Sequence, residues 1–151
     1  MTMIHDLEVT RLDVNATEYG SLVECQRTDW DVVHPDPQMA TAETVFPDTV
    51  RAWQRHPESQ VDHLTVPRGQ IELAVYDDRE DSPTSGETDT FVIGEKSPAL
   101  VRIPVGVWHG YEVLGPEPAL VLNFPSELYD YYEPDKETLP ADTDEIPHEW
   151  V

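Results

Sequence analysis

The sequence predicts an all-β fold, an antiparallel sandwich or barrel of short strands, on three observations. Ile71, Leu73 and Val75 alternate with Gln70, Glu72 and Ala74, which is the period of a strand with one buried face. Short apolar runs recur from Leu64 to Val66, Phe91 to Ile93, Leu100 to Ile103, Trp108 to Leu114 and Leu120 to Phe124. Fourteen prolines, spread along the chain, obstruct long helices.

Each run ends at residues whose φ is fixed or permissive. Pro67-Arg68-Gly69 closes the first, Asp81-Ser82-Pro83-Thr84-Ser85-Gly86 precedes the third, and Gly94 to Pro98 and Gly115-Pro116-Glu117-Pro118 separate the rest. Strands at such spacing, joined by such turns, build sandwiches and barrels. No internal repeat, linker or low-complexity block interrupts the chain, so one domain is expected over 1–151. Within it we expect N-terminal strands over 1–43, a barrel core over 44–125, and a segment over 126–151 that packs back on the core. The last expectation rests on Tyr129, Tyr131, Tyr132, Ile146 and Trp150, because disordered tails are poor in aromatics.

Composition narrows the function. The 151 residues carry 31 acidic and 9 basic side chains, a formal net charge of −22. A field of that sign repels phosphate backbones and anionic headgroups, so nucleic acid and membrane are not expected partners. No apolar run approaches the roughly 20 residues of a membrane helix, and the N-terminus lacks the basic flank and apolar stretch of an export signal, so a cytoplasmic location is expected. Cys25 is alone and can form no intramolecular disulfide. Only Lys96 and Lys136 are lysines, the other cations being arginines. An acid-rich, lysine-poor chain suits high salt, which screens its self-repulsion, and points to a salt-loving source such as a haloarchaeon.

Polar groups among the strands mark a site. On a strand Gln54 and His56 share one face, as do His109 and Tyr111, because side chains alternate with period two. If those faces line a barrel interior, two imidazoles, an amide and a phenol converge in one cavity suited to a small molecule.

Further stretches resemble a known family. Pro104-Val-Gly106-Val-Trp-His109 is similar to the second motif of cupins, which are small jelly-roll β-barrels. The longer run Ile103 to Leu114 resembles the dTDP-4-dehydrorhamnose 3,5-epimerase branch of that fold. Val50-Arg51-Ala52-Trp53 resembles that family's Arg-Gly-Leu-His segment, and Gln60 and Gly69 keep its spacing. Asp77-Asp78-Arg79 and Ser82-Pro83-Thr84-Ser85-Gly86 resemble its Asp-Leu-Arg and Ser-Pro-Thr-x-Gly. Tyr131-Tyr132-Glu133-Pro134 and Glu149-Trp150 resemble its C-terminal signature. The resemblance implies a cofactor-free isomerase and a nucleotide-diphosphate sugar as its partner. It also implies a homodimer in which N-terminal strands pair across subunits.

It further implies a proton abstraction at C3 and C5, beside the C4 ketone of a 4-keto-6-deoxy sugar. Such chemistry needs a base, an acid on the opposite ring face, and a partner for the enolate oxygen. Carried over by motif, Arg51 contacts the diphosphate, His109 is the second histidine, and Asp142 orients the base. Three positions depart: Gln54 stands where the base histidine belongs, Asp62 where a lysine belongs, and Asn123 where the acid tyrosine belongs. A relocated set is therefore expected, with His56 as base and Tyr111 or a tail tyrosine as acid. Gln54, Gln60, Asn123 and Trp108 are expected to bind the substrate, and of Trp53 and Trp108 either one stacks on the nucleobase or both fill the barrel. Two alternatives stand beside this reading. Gln54-x-His56-Pro57 resembles the His-x-His-Pro of metal cupins, with His109 and Gln60 or Asp62 as further ligands. A silent nucleotide-sugar-binding protein would use the amides of Gln54 and Asn123 without proton transfer.

Overall fold

The structure is a computed structural model, and it describes residues 3–151. The described residues form twelve strands and no helix, so none is long and apolar enough to cross a membrane. Ten strands make two five-stranded antiparallel sheets. One runs β1 (Glu8–Arg11), β9 (Ala99–Ile103), β6 (Asp62–Arg68), β11 (Ala119–Asn123), β4 (Thr41–Val45). The other runs β12 (Glu137–Thr138), β5 (Val50–Arg55), β10 (Trp108–Leu114), β7 (Gln70–Tyr76), β8 (Thr88–Gly94). β2 (Asn15–Thr17) and β3 (Gly20–Leu22) pair only with each other.

All five apolar runs predicted beside the Ile71–Val75 alternation became strands, and the turns between them fall where Gly and Pro stand. At Gly69 the chain reverses through a single residue with φ 76°, and a Cβ there would meet the Pro118 carbonyl oxygen at 2.6 Å. Only glycine provides both the angle and the space. The N-terminal and C-terminal segments each add a strand to a main sheet: β1 pairs with β9, and β12 pairs with β5.

The core lies between the sheets. Ile71, Leu73 and Val75 of β7 meet Leu64 and Val66 of β6, Val101 and Ile103 of β9 and Val113 of β10. Both sheets also bury part of their outer faces. Leu100 packs with Leu12, Val32 and Val33 behind the first. Trp53, Ala74, Trp108 and Ile146 pack behind the second, where the tail lies across it. That double covering explains why β9 and β10 are near-continuously buried, whereas a half-exposed sheet would alternate. The tail's aromatics divide: Trp150 packs on Trp53 with centroids 5.0 Å apart, while Tyr131 and Tyr132 are 84% and 94% exposed.

The Asp-Asp-Arg and Ser-Pro-Thr motifs form one polar hub that is structural. The Asp77 carboxylate is buried and accepts from Arg79 Nε at 2.9 Å, from Thr84 Oγ1 at 2.6 Å and from the Ser82 hydroxyl. Arg79 then donates to the His5 carbonyl at 2.8 Å, and the His5 amide donates to Thr84 Oγ1 at 2.9 Å, which ties the N-terminus down. Burial works to raise the Asp77 pKa, but these donors outweigh it and hold the carboxyl well below the usual carboxylate range.

Candidate active site

The open end of the barrel holds a cavity of about 260 Å³ lined from both sheets and from the tail. A bulge in β5 shapes one wall. His109 pairs with Gln54 but Tyr111 pairs with Arg51, so β5 carries one extra residue between them. The extra residue lets Arg51, Gln54 and His56 all face the cavity while Trp53 turns to the opposite face. Gly110 lies beneath the bulge, where a Cβ would meet the Ala52 Cβ at 2.5 Å.

The floor is a cluster of three titratable groups. His56 Nε2 lies 3.0 Å from Asp62 Oδ2, and His109 Nε2 lies 3.4 Å from the same oxygen. The other ring nitrogens are fixed by backbone: His56 Nδ1 donates to the Asp135 carbonyl at 2.7 Å, and His109 Nδ1 to the Val107 carbonyl at 3.1 Å. Gln60 donates to Asp62 Oδ1 at 2.8 Å. Both nitrogens of His56 thus face acceptors, and an imidazolium satisfies both, although Nε2 also lies 3.3 Å from the Gln60 amide nitrogen. Burial works to lower the His56 pKa, but the hydrogen bond and charge of Asp62, with the Asp135 carbonyl, raise it overall. Burial likewise works to raise Asp62, and the two imidazoles hold it well below its usual range.

The walls complete the set. Arg51 Nε donates to Glu43 Oε2 at 3.3 Å, and the Tyr111 hydroxyl donates to Glu43 Oε1. Burial first, and then Glu43, push the Tyr111 phenol far above its ordinary value. Asn123 accepts from the His63 amide at 3.1 Å, leaving its NH₂ for the cavity that it lines. Lys136, Tyr129 and Tyr131 close the rim from the tail.

Of the residues singled out in the sequence, Arg51, Gln54, His56, Gln60, Tyr111 and Asn123 line this cavity, and His109 lies directly behind Asp62. Two do not reach it. Asp142 is exposed on a separate open groove with Val50, Ile146 and Trp150, and the carboxylate that meets His56 is Asp62. Trp108 points from the other face of β10, donating Nε1–H to Asp78 at 3.1 Å beneath the Arg55 guanidinium at 4.5 Å. It is a packing residue on the side of the sheet away from the cavity. Neighbours on a strand face opposite ways, so His109 and Trp108 cannot both point inward. Sequence reasoning missed Lys136 and took Asp62 for a lost lysine. The signal for Lys136 was its rarity, one of two lysines in a chain that otherwise uses arginine.

The same three side chains have the donor types of a metal site. One ligand atom each of His56, Asp62 and His109 lie within 4.8 Å of one another. Gln60, however, turns its amide nitrogen toward them, 2.8 Å from Asp62 Oδ1 and 3.3 Å from His56 Nε2. An N–H donor inside the cluster suits a proton shared by His56 and Asp62 and does not fit a cation, which needs lone pairs around it.

The sequence pattern of the dTDP-4-dehydrorhamnose 3,5-epimerase family matches residues 37–150. A probable low-salt glycan biosynthesis epimerase of Haloferax volcanii is 52% identical over 150 residues, covering 99% of this chain and 96% of that protein. A spore coat polysaccharide biosynthesis protein of Bacillus subtilis is 34% identical over 148 residues, covering 98% and 97%. The crystal structure of a dTDP sugar isomerase from Desulfovibrio desulfuricans superposes with a TM-score of 0.87 at 30% identity, covering 97% of this chain and 92% of that one. The all-β architecture is the cupin fold of these epimerases, as a Mycobacterium tuberculosis epimerase with TM-score 0.86 also illustrates. By sequence and by fold, the chain belongs to the dTDP-4-dehydrorhamnose 3,5-epimerase family, a family of isomerases.

Proposed function

We propose that the protein epimerises a nucleotide-linked 4-keto-6-deoxy sugar at C3, C5 or both, supplying a deoxysugar for glycan assembly. The observation that carries the reading is the His56–Asp62–His109 cluster at the floor of a cavity whose wall holds Arg51. Proton abstraction beside a ketone creates an enolate, and a cationic hydrogen-bond donor beside the ketone oxygen stabilises it. His56, held as an imidazolium by Asp62, suits that place better than the role of base, because neither ring nitrogen has a free lone pair. Asp62 then takes the orienting role first expected of Asp142. Arg51 is the proposed diphosphate contact, and Gln54 and Asn123 are proposed partners of sugar hydroxyls. A cluster so fully charged argues against a binding site that has given up proton transfer. Relatives of the same fold include a Legionella pneumophila epimerase crystallised with dTDP-4-keto-L-rhamnose, a ligand of the class proposed here.

The reading is tested by incubating the protein, at molar salt, with dTDP-4-keto-6-deoxyglucose and following ring-proton couplings by NMR. Inversion at C3 or C5 is expected. Tight binding of dTDP with an unchanged sugar would favour the silent binding protein instead.

A further inference from the structure

Abstracting a proton requires a group that reaches the cavity and has a lone pair free, which for an amine means its neutral form. Taking the epimerase reading as given, the cavity's titratable groups can be sorted on that requirement. His56 has both nitrogens on acceptors, at 2.7 and 3.0 Å. His109 is 1% exposed and sealed behind Asp62. Asp62 is bound to both imidazoles and to the Gln60 amide. Each oxygen of Glu43 already accepts a donor, Oε2 from Arg51 and Oε1 from Tyr111, which weakens it as a base.

Lys136 remains. Its side chain lines the cavity, half-buried, and its ammonium has no hydrogen-bond or ion-pair partner among the described residues. Burial lowers its pKa, and Arg51 lowers it further, against the opposing pull of Glu43 and Asp62. The charged and titratable groups around it are Arg51 from β5, Glu43 from β4, Asp62 from β6, His56, and the phenols of Tyr111, Tyr129 and Tyr131.

The backbone carrying Lys136 is also the backbone that sets the cluster. The Asp135 carbonyl holds His56, and the Asp135 carboxylate accepts from the amides of Glu58, Ser59 and Gln60 at 2.8, 2.8 and 3.0 Å. On the other side, Glu137 enters β12 opposite Arg55. A long flexible side chain is therefore mounted on a fixed base, facing the substrate cavity, in a chain that keeps only one other lysine.

We propose that Lys136 is the base of the epimerisation, a tail residue doing the work that neither Gln54 nor His56 can do. The neutral amine takes the proton from the ring carbon beside the ketone. The C–H electron pair becomes the enolate double bond, and the carbonyl π pair moves to the oxygen, where the His56 imidazolium donates a hydrogen bond. A tail tyrosine, Tyr129 or Tyr131, returns a proton to the opposite ring face as the carbonyl re-forms. The resulting ammonium and phenolate reset by proton exchange with water, so the net reaction is an inversion with no oxidant or reductant.

The test compares wild type with Lys136→Arg, Lys136→Gln and Lys136→Ala at high salt, reading solvent deuterium entering dTDP-4-keto-6-deoxyglucose, with dTDP binding by calorimetry as the check on folding. Arginine keeps the charge but has no free lone pair at neutral pH. All three variants should bind dTDP and lose on the order of 10²-fold or more in exchange. Added ethylamine should restore exchange to Lys136→Ala in proportion to free amine, which a structural role would not permit. Wild-type exchange in Lys136→Arg, or loss without amine rescue, overturns the proposal and leaves the epimerase reading standing. Absence of exchange in the wild type overturns both.

Discussion

Asp62 shows how much a single carboxylate can organise. It is 1% exposed, and its charge is met by two imidazoles and an amide. Removing one member of a buried charged cluster typically costs about 3–5 kcal/mol, because the partners stay buried and unpaired. Asp62→Asn should lower the denaturation midpoint accordingly. With the charge gone, burial should pull the His56 pKa from above 6.5 to below it, as read by an NMR titration of its ring. A His56 pKa unmoved by that substitution would refute the imidazolium assignment. The wild type should show both signs of linkage. Asp62 contributes stability above its unfolded value of 3.8 that is lost as pH falls through its depressed folded value. His56 contributes stability that is full below 6.5 and is lost as pH rises through its raised folded value. Gln54 and His56 were legible from the sequence because alternation alone puts them on one face. Asp62 was legible only through the metal-cupin alternative, which set it beside His56 and His109; nothing local signals that a carboxylate six residues on, across a turn, will be the ion partner of that imidazole.

The strands themselves were the most legible element of the chain, because burial between two layers imposes period two on the sequence. What the pattern did not reveal was the bulge in β5, which breaks the alternation between Arg51 and Trp53. A bulge is a mismatch between two strands and is invisible in either one alone. Its consequence is that Arg51 joins Gln54 and His56 at the cavity while Trp53 packs under the tail. Gly110→Ala tests this directly. A methyl group 2.5 Å from the Ala52 Cβ should force the bulge outward, costing about 1–3 kcal/mol and weakening dTDP binding through displaced Arg51. Urea unfolding and calorimetry would measure the two effects, and a variant as stable as wild type would show that the bulge yields freely. The tail's role was only half legible. Its aromatics announced that it packs, but Ile146 and Trp150 do the packing while Tyr129 and Tyr131 border the site. Asp142 looked close in sequence to an orienting role, and the path of the tail carries it to another groove.

At the scale of the whole molecule the net charge of −22 dominates, and its repulsion falls as the Debye length shrinks from about 10 Å at 0.1 M salt to about 3 Å at 1 M. The melting temperature should therefore climb steeply with KCl over that range, as calorimetry would show, whereas a flat response would contradict adaptation to salt. Repulsion also bears on the substrate, itself anionic, so Arg51 must provide the local positive field inside an acidic shell. We further propose a homodimer. The β4 edge of the first sheet and the β2–β3 ladder leave Phe46, Tyr19 and Leu22 exposed at 68%, 92% and 55%, surface that a second copy would cover. Sedimentation in high salt should give twice the 17.2 kDa chain mass, and a persistent monomer would exclude the assembly.

The central claim, that this cavity moves protons at carbons flanking a ketone, is tested most directly by isotope exchange. The protein is held at molar KCl in D₂O with dTDP-4-keto-6-deoxyglucose, and the sugar is analysed by mass spectrometry and NMR. The account predicts deuterium at C3, C5 or both, lost when His56 is replaced by Asn, with dTDP binding retained. No deuterium in a sugar that demonstrably binds would contradict it.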